Sequence, residues 1–187
     1  MPDQTPTPTS PPIPTLETPR LLLRAPRAGD FDHSFSLWAD PQVFRYISGK
    51  PCTREEAWAR LLRYTGHWLW MRFGFWIVEE KSSGAFVGEV GYAEQKREIT
   101  PSLIGIPEMG WVLLPSFHGR GYAFEAVHAA QQWFAANLPV SRSCCIIDSA
   151  NAPSIRLAEK CGFREWQRTT YHGDSVIVFA HPTPPPL

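Results

Sequence analysis

The stretch His118-Gly119-Arg120-Gly121-Tyr122-Ala123 lies between an apolar run, EMGWVLLP (108–115), and a helical pattern that continues to Leu138. A helix N-terminus presents unpaired backbone N–H groups and the positive end of the helix dipole. Glycines ahead of it let a phosphate come close to the backbone. The stretch reads as an anion cradle, or as a plain strand-to-helix turn whose glycines supply positive φ. It lacks the Gly-Lys-Ser/Thr ending of a P-loop. Phe124 stands where a dinucleotide fingerprint wants its third glycine. A second stretch, DSANAPSIRLAEKCGF (148–163), follows another apolar run and opens another helix, with Asn151 or Ser154 as its N-cap.

Periodicity sets out the elements that must position these residues. Residues 20–26 read as a strand stopped by Pro26, and 28–40 as a helix with Asp30 as N-cap. Residues 53–70 read as a helix opened by a Thr53/Glu56 capping box, with Ala57, Leu61, Leu62 and Tyr64 or Thr65 following the apolar period. Residues 73–80 and 85–94 form a hairpin, and 106–115 the next strand. A long helix covers about 121–138, with Ala126, Val127, Ala130, Trp133 and Phe134 on one stripe. A strand at 142–149, a helix at 152–161 ended by Gly162, and a closing hairpin of 163–171 and 175–181 complete the chain. This order implies an α/β layered fold with a mostly antiparallel sheet. Residues 1–15 and 182–187 are Pro-rich and are expected to be tails around one domain, 16–181.

Charge is balanced, with 18 basic and 18 acidic side chains, so nothing points to nucleic acid or a membrane surface. The most apolar stretch, HWLWMRFGFWIV, holds Arg72 and is too short to span a bilayer. The N-terminal residues lack the charged start and apolar segment of a signal peptide, which leads us to expect a cytoplasmic protein. Cys52, Cys144, Cys145 and Cys161 form no metal-ligand spacing and read as reduced thiols, with no metal site. Adjacent Cys144 and Cys145 should point to opposite faces of a strand.

Taken together, HGRGYA (118–123), NAPSIRLAEKCGF (151–163) and LETPRLLLRAPRAGDFD (16–32) resemble the GNAT superfamily of acetyl-CoA-dependent N-acetyltransferases. The opening stretch is similar to the branch that acetylates ribosomal-protein N-termini. His118 takes the Gln/Arg place of the superfamily's pyrophosphate loop, and Gly121 and Ala123 match its later positions. The resemblance implies helices on both faces of the sheet and two splayed parallel strands, with acetyl-CoA in the gap. The pantetheine arm would pair with the strand Trp111 to Leu114, through Val112, Leu113 and Leu114. The pyrophosphate would sit on the N–H groups of His118, Gly119, Arg120, Gly121, Tyr122 and Ala123. Asn151 and Ser154 would lie across the gap. Arg120, Arg156 or Lys160 would meet the 3′-phosphate.

The implied reaction is direct attack of an amine on the thioester, with a backbone N–H near Leu113 polarising the carbonyl. Glu108 is the first candidate base, directly or through water, and Glu89 the weaker one. Many superfamily members carry a tyrosine acid where this chain has Ala158, leaving Ser154 or a water to protonate the thiolate. Tyr171 is a candidate lining for the acceptor pocket, and Glu125 is expected to stabilise its helix N-terminus. Cys161 reads as packing, and His128 is given no role. Trp68, Trp70, Phe73, Phe75 and Trp76 read as core, or as a wall of the acceptor site or a dimer face. The implied partner is an amine acceptor, a protein N-terminus or a small molecule, with a homodimer possible. The alternative is an acyl-CoA-binding regulatory protein with a degenerate catalytic site.

Overall fold

The computed structural model describes residues 12–140 and 142–182. Strands β1 (Leu16–Glu17), β2 (Leu21–Arg24), β3 (Phe75–Glu80), β4 (Phe86–Ala93), β5 (Glu108–Leu113), β6 (Arg142–Asp148), β7 (Arg164–Tyr171) and β8 (Asp174–Pro182) form one sheet. Its order is β1-β2-β3-β4-β5-β6-β8-β7. Every neighbouring pair is antiparallel except β5 and β6, which are parallel. The expected layered fold with a mostly antiparallel sheet is the fold found. The described chain extends past the expected boundaries at both ends. Trp76 Nε1–H donates to Pro14 O at 2.8 Å, and Pro182 pairs with Arg142. The rest of the expected tails lies outside the described residues.

The helices are α1 (Phe31–Trp38), α2 (Pro41–Phe44), α3 (Arg54–Met71), α4 (Tyr122–Asn137) and α5 (Ala152–Lys160). Strand β3 shows why its run is apolar without alternation. Phe75 and Ile77 pack in one core cluster with α1 and α3, while Trp76 and Val78 pack in the other with α4. A strand covered on both faces buries both sets of side chains. Cys145 and Cys144 divide in the same way between two clusters, as their adjacency requires. Among the described residues no helix is long and apolar enough to cross a membrane, and no group of metal-ligating side chains comes together.

The capping box of α3 is present, with Thr53 Oγ1 accepting from Glu56 N–H and the Glu56 carboxylate from Thr53 N–H. Its buried face is Ala57, Leu61, Tyr64 and Trp68, so Leu62 and Thr65 leave the expected stripe and face out. Trp68, Phe73, Phe75 and Trp76 are buried, whereas Trp70 is 82% exposed. In α4 the expected stripe is buried except Trp133. That residue is half-buried and meets the rings of Trp68 and Trp76 at 5.3 and 5.2 Å.

Asp30 does not cap α1 as expected. Its carboxylate is buried and accepts from both terminal nitrogens of Arg24, at 2.8 and 2.6 Å, and from Arg27 N–H. Burial by itself would raise its pKa, but the bonds from Arg24 and Arg27 outweigh that and hold it below the ordinary carboxylate value. The depressed folded value means the pair stabilises above the unfolded pKa and is lost as pH falls through the folded one. Asp30→Ala is expected to cost about 3 kcal/mol at neutral pH, since Arg24 keeps only Glu79 as an acid partner. Denaturant melts should show the gap to wild type closing as pH falls below about 4.

Candidate active site

The sheet is broken at one place. Strands β5 and β6 pair only at Glu108 and Cys144, and beyond that point they part. On its other edge β5 is fully paired with β4 from Glu108 to Leu113. Leu114 N–H is bonded to Val87 O, so strand alternation turns Leu113 and Trp111 the other way, toward the gap. Their N–H groups are therefore available to an extended ligand laid along β5 as an added strand.

A cavity of about 460 Å³ opens at the gap. Trp111, Val112 and Leu113 line one side, and Asn151, Ser154, Leu157 and Lys160 the other. At its end lie His118, Gly119, Gly121, Tyr122 and Ala123. Leu114, Arg120 and Arg156 are not part of this lining. Arg120 turns outward, its guanidinium over the Phe117 ring at 5.2 Å. Of the three cations offered for the 3′-phosphate, Lys160 reaches the cavity, and Arg45 joins it there.

The loop at this end is braced from behind. His118 Nε2–H donates to Leu113 O at 2.9 Å, returning the loop to the end of β5. Gly119 and Gly121 take φ of +74° and +78°, where a side chain would strain the backbone. Gly121 is the N-cap of α4. Arg20 Nη1–H donates to Arg120 O at 2.9 Å, and Tyr122 OH donates to Glu80 at 2.5 Å. Glu125 is tied to Thr18 and Arg20 rather than to the first N–H groups of α4. The result is a fixed concave turn of backbone N–H groups at a helix N-terminus, suited to an anion. Across the gap Asn151 Oδ1 accepts from Ser154 N–H at 3.2 Å, so Asn151 is the N-cap. Ser154 Oγ accepts from Trp111 Nε1–H at 3.4 Å.

A second, inner cavity of about 180 Å³ lies on the other side of the break. Both cavities are lined by Tyr46, Ile47, Trp111, Val112, Asn151 and Ser154, which mark where they meet. Trp38, Tyr64 and Phe75 are among the inner cavity's apolar walls, and Arg60, Arg63, Arg97, Glu108 and Asp148 its charged groups.

Glu108 reaches this cavity, but both its oxygens accept from Arg97, at 2.7 Å each. It is half of a bidentate pair, not an isolated carboxylate. Tyr171 supports that pair from outside, with the Arg97 guanidinium 5.0 Å over its ring. Glu89 is fully buried behind the wall. It accepts from Ser34 Oγ, Trp38 Nε1 and Tyr64 OH at 2.5, 2.8 and 2.7 Å, and lines neither cavity. Ala158 is fully buried and lines neither cavity. Burial pushes the Cys144 thiol up to about 12 and the Cys161 thiol up to about 11, which keeps both protonated at neutral pH and leaves Cys161 a packing residue.

A family model described as an acetyltransferase (GNAT) domain matches residues 20–164. The chain belongs to the GNAT acetyltransferases, the family its motifs resemble, and acetyl-CoA is the acetyl donor. The Bacillus subtilis protein YkkB is 31% identical over 163 residues, covering 82% of this chain and 90% of its own length. A second Bacillus subtilis protein, the uncharacterized N-acetyltransferase YnaD, is 26% identical over 149 residues, covering 80% of this chain and 82% of its own length. The structure of a GnaT-family acetyltransferase from Bordetella pertussis superposes with a TM-score of 0.81 at 28% identity, over 90% of this chain and 99% of that one.

The structure adds Tyr46, Arg60, Arg63, Arg97 and Asp148 to the residues named from sequence. Arg60, Arg63 and Tyr64 carried one signal in the sequence. They sit within one helix at spacing that puts two arginines beside a buried tyrosine.

Proposed function

We propose that this chain moves the acetyl group of acetyl-CoA directly onto a primary amine held in the inner cavity. The observation that carries this reading is the single break in the sheet, where an outer and an inner cavity meet at Trp111, Val112, Asn151 and Ser154. The outer cavity fits the donor. The free N–H groups of β5 suit the pantetheine arm, the cradle 118–123 the pyrophosphate, and Lys160 and Arg45 an outer phosphate. Asn151 shapes the opposite wall as the cap of α5.

The amine nitrogen attacks the thioester carbonyl carbon. The C–N bond forms, the C–S bond breaks, and the departing thiolate takes a proton. The free N–H groups of Trp111, at the junction, and Leu113, just beyond it, are the candidate donors to polarise the carbonyl. Ser154 Oγ and Tyr46 OH are the hydroxyls at the junction, and Ser154 is our first choice as acid because Trp111 fixes its position. Glu108, held by Arg97, acts as an anchor of the acceptor wall, and the amine gives up its proton to water. A weak base selects its substrate. Deprotonating a lysine-like ammonium at neutral pH costs about 4–5 kcal/mol, and an α-amine only about 1 kcal/mol. Among acceptors bound equally well, the one of lower amine pKa is therefore favoured.

Calorimetric titration with acetyl-CoA, with ATP and NAD as controls, should show selective binding of acetyl-CoA. No binding would remove the cradle and the enzyme with it. Binding without turnover of any amine would favour a regulatory acyl-CoA-binding protein, the second reading left open by Ala158. Glu108→Gln is expected to leave acetyl-CoA affinity unchanged and to lower kcat about tenfold, by loosening Arg97. The acid limb of the kcat/KM profile should persist; its disappearance would make Glu108 the base itself.

A further inference from the structure

The inner cavity is charged at both ends. Arg60 and Arg63 stand three residues apart on α3, on one side of the helix, and both line this cavity and a neighbouring outer one of about 270 Å³. Neither makes an ion pair among the described residues. The Arg60 guanidinium lies 3.6 Å over the Trp38 ring, and its Nε is buried with no hydrogen-bond partner. Stacking occupies the face of a guanidinium and leaves its N–H edge free. Arg63 is exposed and Arg60 half-buried, so a ligand entering from solvent meets the Arg63 guanidinium first.

Other charges nearby are already engaged. Arg97 is spent on Glu108. Glu89 accepts from Trp38, Ser34 and Tyr64, while Arg60 stacks on the Trp38 ring. In the neighbouring cavity Glu56 accepts from Thr53 N–H and caps α3, while Lys50 adds another cation. At the opposite end of the inner cavity, Asp148 closes β6 beside Asn151 and Ser154, its Oδ1 accepting from Ala150 N–H.

We propose that the acceptor is a small zwitterionic amine whose oxyanion is held by Arg60 and Arg63 and whose amine lies at the Asp148–Ser154 end, against the thioester. The proposal rests on the acetyltransferase reading and names its substrate class. Guanidinium forks match carboxylate and phosphate oxygens in geometry, which makes the pair a reader of either. A polyamine would instead bring a second cation against two unpaired arginines. The inner cavity of about 180 Å³ is also below the roughly 300–1,000 Å³ typical of drug-sized ligands, which suits a compact acceptor.

The test is steady-state acetylation by the full chain of amino acids, their carboxamides, phosphoethanolamine, ethanolamine and spermidine. An amino acid should exceed its carboxamide in kcat/KM by about 10- to 100-fold, as should phosphoethanolamine over ethanolamine if the oxyanion is a phosphate. Arg63→Gln and Arg60→Lys should raise KM for the anionic amine and erase its advantage. Acetyl-CoA affinity should be unchanged in both variants, the kcat/KM of the carboxamide should fall far less than that of the acid, and Arg63→Gln, at an exposed position, should keep the wild-type melting temperature. Spermidine or the carboxamides turning over as well as the acids would overturn the proposal and leave the acetyltransferase standing. No turnover of any amine, with acetyl-CoA bound, would bring down both.

Discussion

Gly121→Val is expected to weaken acetyl-CoA binding at least about 100-fold while the protein still folds. Gly121 sits at φ +78° as the N-cap of α4. A non-glycine residue in the left-handed region costs about 1–2 kcal/mol, and a β-branched one more. Space does not forbid the side chain, since the nearest atom to an added Cβ is Arg20 Nη2 at 3.5 Å. The strain is in the backbone, and the loop relieves it by turning. That turn takes the N–H groups of Tyr122 and Ala123 away from a common centre. An anion loses several charge-assisted bonds at once, each worth about 1.5–3 kcal/mol. Calorimetry with acetyl-CoA and a thermal melt give the two readouts. Wild-type affinity in this variant would mean that the pyrophosphate does not rest on this loop.

The second large effect lies behind the acceptor wall. Glu89→Ala should cost about 4 kcal/mol, enough to make a domain of ordinary stability marginal. Its carboxylate takes three hydrogen bonds inside the core, from α1 through Ser34 and Trp38 and from α3 through Tyr64. The hydroxyls of Ser34 and Tyr64 can rotate, but the indole N–H of Trp38 cannot. Burial first, then the Glu89 charge, pushes the Tyr64 pKa well above its ordinary value, so Tyr64 remains a donor. Glu89→Gln keeps the shape and lets the amide oxygen accept from Trp38 and Tyr64 while its NH2 donates to a rotated Ser34 hydroxyl, so what is lost is the charge on those bonds. It should cost about 2 kcal/mol and raise KM for the amine, because Trp38 and Tyr64 wall the inner cavity. Acetyl-CoA affinity should not move, as Glu89 does not line the outer cavity. A Glu89→Gln variant with wild-type melting and KM would show that this network positions nothing.

Most secondary structure was legible from the residues because its causes are local. The Thr53/Glu56 box, the Asn151 cap and the Gly162 stop each act within a turn of chain. The short β1 and α2 were missed, having too few residues to show a period. Asp30 looks like a cap from its neighbours and becomes a buried partner of Arg24 once β2 lies beside it.

The cradle and its family were legible too, since glycines before a helix and an Asn-capped helix after the next strand are patterns along the chain. Sequence by itself determined the longer elements, their order and the glycine loop before α4. Tertiary structure decided the rest. It set the point where β5 and β6 part, the Arg97 clasp on Glu108, the Trp111–Ser154 bridge across 43 positions, and the pair of arginines lining the inner cavity. A cap or a helical period depends on residues a few positions apart. A cavity and its charge balance depend on which distant side chains the sheet order brings face to face, and no local pattern encodes that.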